Sequence, residues 1–183
     1  MNMKAAALVA ACAFGVSIEL TAASAAKREK IAVDFKNFTY NTNPCHENVP
    51  VPVVMRNGDF AYLDKKMGAE FDLYVQSVTE GSLRSGTRQA VVVLACDFPV
   101  GGTAAAYVFD ERGGDATLLR KVATADWGAD WGERPDSIHA RFANHSLYVD
   151  ECGDTKCSTG KRTVYALRGG KLVQLARRSG PLK

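Results

Sequence analysis

The sequence predicts a mainly β chain: a single antiparallel β-sandwich or strongly curved sheet, built from hairpins and closed by two disulfides. Three observations carry that prediction. Short runs of β-branched and aromatic residues recur, parted about every ten residues by turns bearing Gly, Asn or Asp. One run, Ala90–Cys96 (AVVVLAC), is apolar without interruption and reads as a central strand buried on both faces. Cys45, Cys96, Cys152 and Cys157 remain once the N-terminal segment is set aside, an even number in a chain marked for export.

The export mark is in residues 1–26. Lys4 supplies a positive start, Ala5–Ile18 is apolar but too short and Ala-rich for a membrane span, and Ala23-Ser24-Ala25-Ala26 offers the small residues a signal peptidase reads. Residues 27–183 then form one secreted or periplasmic domain with short basic tails. Val9–Cys12 has the outline of a lipobox, but its apolar run is short and continues past Cys12, so a lipid anchor at Cys12 is not expected. The net charge of +3 is mild and no five like charges are contiguous. The basic ends, Lys27–Lys30 and Arg177–Lys183, read as solvated tails, and no nucleic-acid partner is expected. No other segment has the length of a transmembrane span.

The elements follow in order. Ile31–Phe35 opens a first strand that Asn37–Tyr40 continues. Asn41–Pro44 breaks the chain before Cys45. Val49–Met55 is apolar, but Pro50 and Pro52 confine its first half to an edge or an extended loop. Asn57-Gly58 is a strong hairpin signal, with Phe60–Leu63 returning. Glu70–Val78 is a strand of imperfect alternation. Ala90–Cys96 and Thr103–Phe109 pair across Gly101-Gly102, and Glu111–Asp115 turns the chain into Ala116–Val122. Ser137–Phe142 and Leu147–Glu151 form a hairpin, as do Arg162–Leu167 and Leu172–Leu175. Short helical turns are expected only near Leu63–Gly68 and Ala125–Trp131.

The cysteines are expected to pair as Cys45–Cys96 and Cys152–Cys157, because the close pair can meet across one turn. The C-x4-C spacing matches neither a structural zinc site nor a thioredoxin-like C-x2-C, so the loop reads as a staple and no metal is expected. His46, His139 and His145 have no carboxylate or cysteine companion at motif spacing. Thr79–Ala90 has the outline of a calcium loop, but Ser85 and Arg88 stand where acids are needed. No nucleophile elbow, zincin or phosphate-loop motif occurs. The exposed feature of interest is a tandem repeat, Ala125-Asp126-Trp127-Gly128 and Ala129-Asp130-Trp131-Gly132. Trp127 and Trp131 could form an aromatic platform, or else cap an open end of the sheet.

The apolar run Ala90–Cys96, then Ala106–Asp110 with a Gly-rich turn, a Cys-bearing loop and Arg162–Gly170, resembles the LppP/LprE-like bacterial lipoproteins over Val78–Leu175. That resemblance implies no biochemical activity. Val75–Asp110 also resembles periplasmic inhibitors of invertebrate-type lysozyme, in which a small-residue loop enters the lysozyme cleft. Pro99–Thr103, with Gly101 and Gly102, is the stretch that would correspond. The expectation is a non-enzymatic exported protein without cofactors that binds a protein or an envelope glycan. Lysozyme inhibition is the alternative and a cryptic hydrolase the third reading.

Overall fold

The computed structural model describes residues 32–45, 49–128, 137–154 and 156–182. The expected signal peptide, Cys12, His46 and Trp131 lie outside the described residues. Eleven strands are described: β1 (Thr39–Tyr40), β2 (Val53–Val54), β3 (Asp59–Asp64), β4 (Ala69–Gly81), β5 (Arg88–Phe98), β6 (Gly101–Arg112), β7 (Asp115–Gly128), β8 (Ile138–Ala143), β9 (Ser146–Cys152), β10 (Thr159–Arg168) and β11 (Lys171–Pro181). All pairings are antiparallel. β3 to β7 form a five-stranded meander, β8 to β11 a four-stranded one, and β1 pairs with β2. Among the described residues no helix is long and apolar enough to cross a membrane.

The uninterrupted apolar run has the predicted cause. Ala90 to Cys96 of β5 are all fully buried, because both faces of the five-stranded sheet are covered. On one face Val91, Val93 and Ala95 join Ala104, Ala106 and Val108 of β6. These pack against Ile138, Leu147, Val149 and Tyr165 of the four-stranded sheet. On the other face Val92, Leu94, Tyr107 and Phe109 meet Phe35, Tyr40, Val53 and Met55 of the N-terminal segment. Phe35, Phe38 and Tyr40 crowd the Phe109 ring with centroids 5.3, 5.8 and 6.0 Å away, the range for tilted and edge contacts. The Tyr40 hydroxyl donates to the Phe35 carbonyl at 2.6 Å, and burial pushes its pKa up. The result is a sandwich whose central sheet carries a third layer.

Both expected disulfides are present. Cys45–Cys96 ties the N-terminal cover to β5 inside the core, and Cys152–Cys157 closes the β9–β10 loop. The imperfect alternation of β4 also has a cause: a bulge between Val75 and Ser77 shifts the register against β5. Asn57 and Gly58 both take positive φ, 55° and 94°, as the tight turn signalled by that pair requires.

Four local expectations are corrected. Where the first strand was placed, Phe35–Asn37 is a 3-10 turn, because the Asp34 carboxylate accepts from the Lys36 amide and the Asn37 side chain. Leu63 lies in β3, and the turn after it is held by Asp64, whose Oδ1 accepts from the Lys66 and Met67 amides. Ala125–Gly128 is the end of β7 rather than a helical turn, since β6 offers it a full ladder of partners. Arg177 and Arg178 are not in a free tail; β11 runs to Pro181 along β10.

Candidate functional site

The structure brings three of the proposed surface residues together. Gly101 pairs with Gly128 and Gly102 with Trp127. The indole lies flat over Gly102, where an added Cβ would come within 2.3–2.6 Å of three indole atoms. Gly101 has φ of 143°, and a Cβ there would stand 2.2 Å from the Trp127 carbonyl oxygen. Trp127 is half-buried and packs against the core between the sheets. It closes one end of that core; Gly102 leaves the space the indole occupies, and Gly101 lets the backbone pass close to the Trp127 carbonyl. The adjoining β5–β6 connection is only Pro99-Val100, with Val100 74% exposed at its tip.

The opposite end of the five-stranded sheet holds a polar plug. Gln89 is fully buried; its Nε2 donates to Asp110 at 2.8 Å and its Oε1 accepts from the Leu83 amide at 2.8 Å. Arg112 donates to the other Asp110 oxygen. Arg88 lies between Glu80 and Glu111. In the turn that resembled a calcium loop, the Ser82 hydroxyl and the Thr87 amide and hydroxyl donate to the Arg84 carbonyl. That turn is closed by its own backbone.

The Cys152–Cys157 loop is organised by one side chain. Asp154 accepts from the Lys156, Ser158 and Thr159 amides and from the Ser158 and Thr159 hydroxyls, at 2.6 to 3.0 Å. These bonds, with the Thr159 hydroxyl foremost, hold the Asp154 carboxyl well below the usual carboxylate range. His139 does have cysteine companions in space. A ring nitrogen and both sulfurs lie within 4.8 Å of one another. Motif spacing could not show this, since His139 reaches the disulfide only through the β8–β9 register.

The outer face of the four-stranded sheet was missed. Its cross-strand rows are His139–Asp150–Arg162–Arg178 and Arg141–Tyr148–Val164–Ala176. Arg162 forms a bidentate pair with Asp150, both contacts 2.6 Å, and donates to the Leu182 carbonyl at 2.8 Å. The Asp150 bonds raise the Arg162 pKa, so its charge is fixed. The Arg141 guanidinium lies 4.1 Å from the Tyr148 ring centroid. Arg141, Arg177 and Arg178 make no ion pair among the described residues. Arg177, opposite the buried Thr163, alternates onto the other face and lines a separate concavity with Tyr165 and Gln174, whereas Arg141, Arg162, Arg178 and Tyr148 line one open concavity of about 400 Å³. A signal for it existed: Arg141, Tyr148, Arg162 and Arg178 each sit at an outward position of their strand's alternation. Comparison with known proteins finds no matching family model, no matching curated protein and no matching solved structure.

Proposed function

We propose that this is an exported, non-enzymatic binding protein that holds an acidic glycan of the cell envelope on the outer face of the β8–β11 sheet. One observation carries the reading: Arg141 and Arg178, unpaired with any described carboxylate, line a single concavity with Arg162 and Tyr148 on the outward rows of the sheet. Guanidinium forks match carboxylate, phosphate and sulfate oxygens, and the Tyr148 ring offers an apolar surface to a sugar. Asp150 is the acid in the row, and Arg162 neutralises it, so the field at the face stays positive. The two disulfides are compatible with a non-cytoplasmic location, and within that the periplasm or the medium is part of the proposal.

The test is retention on immobilised heparin and titration with polygalacturonate, with neutral dextran and duplex DNA beside them. Binding to the acidic polysaccharides should fall steeply as salt rises, because exposed charges are screened. The double variant Arg141→Gln, Arg178→Gln should lose at least about tenfold in affinity, roughly 1.4 kcal/mol. Unchanged retention of that variant would defeat the assignment of the face. Binding to DNA as tight as to polygalacturonate would defeat the glycan as ligand.

One observation favours a second reading. Val100 projects 74% exposed from a two-residue hairpin tip, a shape that could enter the cleft of a lysozyme. A lysis assay with Val100→Asp beside the native chain separates it from the first.

A further inference from the structure

Cys152 and Cys157 are neighbours in the sequence, and His139, thirteen residues before Cys152, joins them only through strand register. β8 and β9 pair with His139 opposite Asp150, which sets the imidazole diagonally across from Cys152. A ring nitrogen and both sulfurs lie within 4.8 Å of one another, a separation that a single tetrahedral ion can span after small side-chain movements. His139 is exposed and both cysteines are half-buried at the surface. The other disulfide is sealed, with Cys45 1% and Cys96 0% exposed. A dithiol in solution therefore reaches Cys152–Cys157 first.

The backbone carrying these two sulfurs is held by bonds other than the disulfide. Asp154 accepts hydrogen bonds from the residues that follow Cys157, at Ser158 and Thr159. The Cys157 amide donates to the Asp154 carbonyl at 3.0 Å, and the Cys152 amide to the Ser137 carbonyl at 2.8 Å. The Gly153 amide donates to the Thr159 carbonyl at 2.8 Å. Cleaving the sulfur–sulfur bond removes none of these. The thiols are then left on a preorganised loop beside the imidazole that β8 carries.

We propose that Cys152, Cys157 and His139 form a redox-gated site for a thiophilic divalent ion of the zinc class. The disulfide is the closed state. An exported protein dithiol of the C-x2-C class opens it: that dithiol gives up two electrons and two protons and becomes a disulfide, while Cys152 and Cys157 become thiols. The ion then binds two thiolates and the neutral imidazole, two protons leave to solvent, and water fills the fourth position. This site is separate from the arginine concavity and does not depend on the glycan reading.

The experiment uses the full mature chain, oxidised or treated with dithiothreitol. Alkylation and peptide mass analysis report which cysteines are open, and Co2+ serves as the probe. The reduced protein should take up one equivalent of Co2+ with sulfur-to-cobalt charge-transfer absorption and tetrahedral d–d bands, both bleached by Zn2+. The oxidised protein should show neither. Loss of an outer-shell partner costs a metal site about 10–100-fold, so His139→Ala should weaken Co2+ by at least that much and change the d–d bands. Cys157→Ser should reduce the charge-transfer band. The proposal is overturned if the reduced, folded protein gives no charge-transfer band or if His139→Ala binds as native. It is equally overturned if Cys45–Cys96 opens first, or if reduction melts the β9–β10 loop in hydrogen exchange.

Discussion

Gly102 and Trp127 show how a single missing Cβ organises one end of the molecule. Any side chain at 102 must displace the indole, which is half-buried against the core between the sheets. Gly102→Ala should therefore cost about 1–3 kcal/mol as an overpacking change and move the tryptophan emission to the red, read in a denaturant melt. An unchanged melt would mean the ring is free to leave. Gly81 serves the inter-sheet contact in the same way, since a Cβ there would come 2.2 Å from the Phe142 ring. Asp154 gives a prediction in pH. Its folded pKa lies below the ordinary 3.8, so the loop's stabilisation is fully present above that value and fades only as pH falls through the lower folded value. In a carboxyl NMR titration Asp154 should remain mostly ionised at pH 3.8. A midpoint at or above 3.8 would remove the hydrogen-bond network as its cause.

Strands differ in what they contribute according to how many layers cover them. Leu94 of β5 is fully buried beneath the N-terminal cover, whereas Leu175 of β11 is 45% exposed. Leu94→Ala should cost about 2–5 kcal/mol through lost burial and the cavity left behind. Leu175→Ala should stay within about 0.5 kcal/mol, as for other surface changes. Equal effects in chemical denaturation would contradict the layering. β11 has a chemical consequence as well: its pairing with β10 brings Arg178 opposite Arg162, and that turns an apparent tail into one wall of the basic concavity.

At the scale of the whole chain, the N-terminal segment is the third layer and Cys45–Cys96 is its tether. That disulfide spans 51 residues, the surface one only 5. Loop-closure entropy assigns about 4 kcal/mol to the long tether and about 2 kcal/mol to the short one. Paired Cys→Ala variants should follow that order in urea. A larger loss from removing Cys152 and Cys157 would show that the loop matters beyond chain entropy.

Local pattern was enough to reveal the strand-rich class, the buried central strand and the cysteine pairing. Each rests on signals within a few residues: the uninterrupted apolar run at Ala90–Cys96, the Asn57-Gly58 turn, and the short reach between Cys152 and Cys157. The same patterns misplaced Ala125–Gly128, whose Gly and Asp residues favour a turn until β6 supplies a ladder to join. Register between distant strands is not written locally, because it depends on which face each strand buries. Only the tertiary structure therefore decided that Trp127 rests on Gly102, that His139 meets Cys152 and Cys157, and that Arg141, Arg162 and Arg178 share one surface. Each of these depends on which residues lie opposite one another across a sheet, and packing of the apolar faces fixes that choice for the chain as a whole.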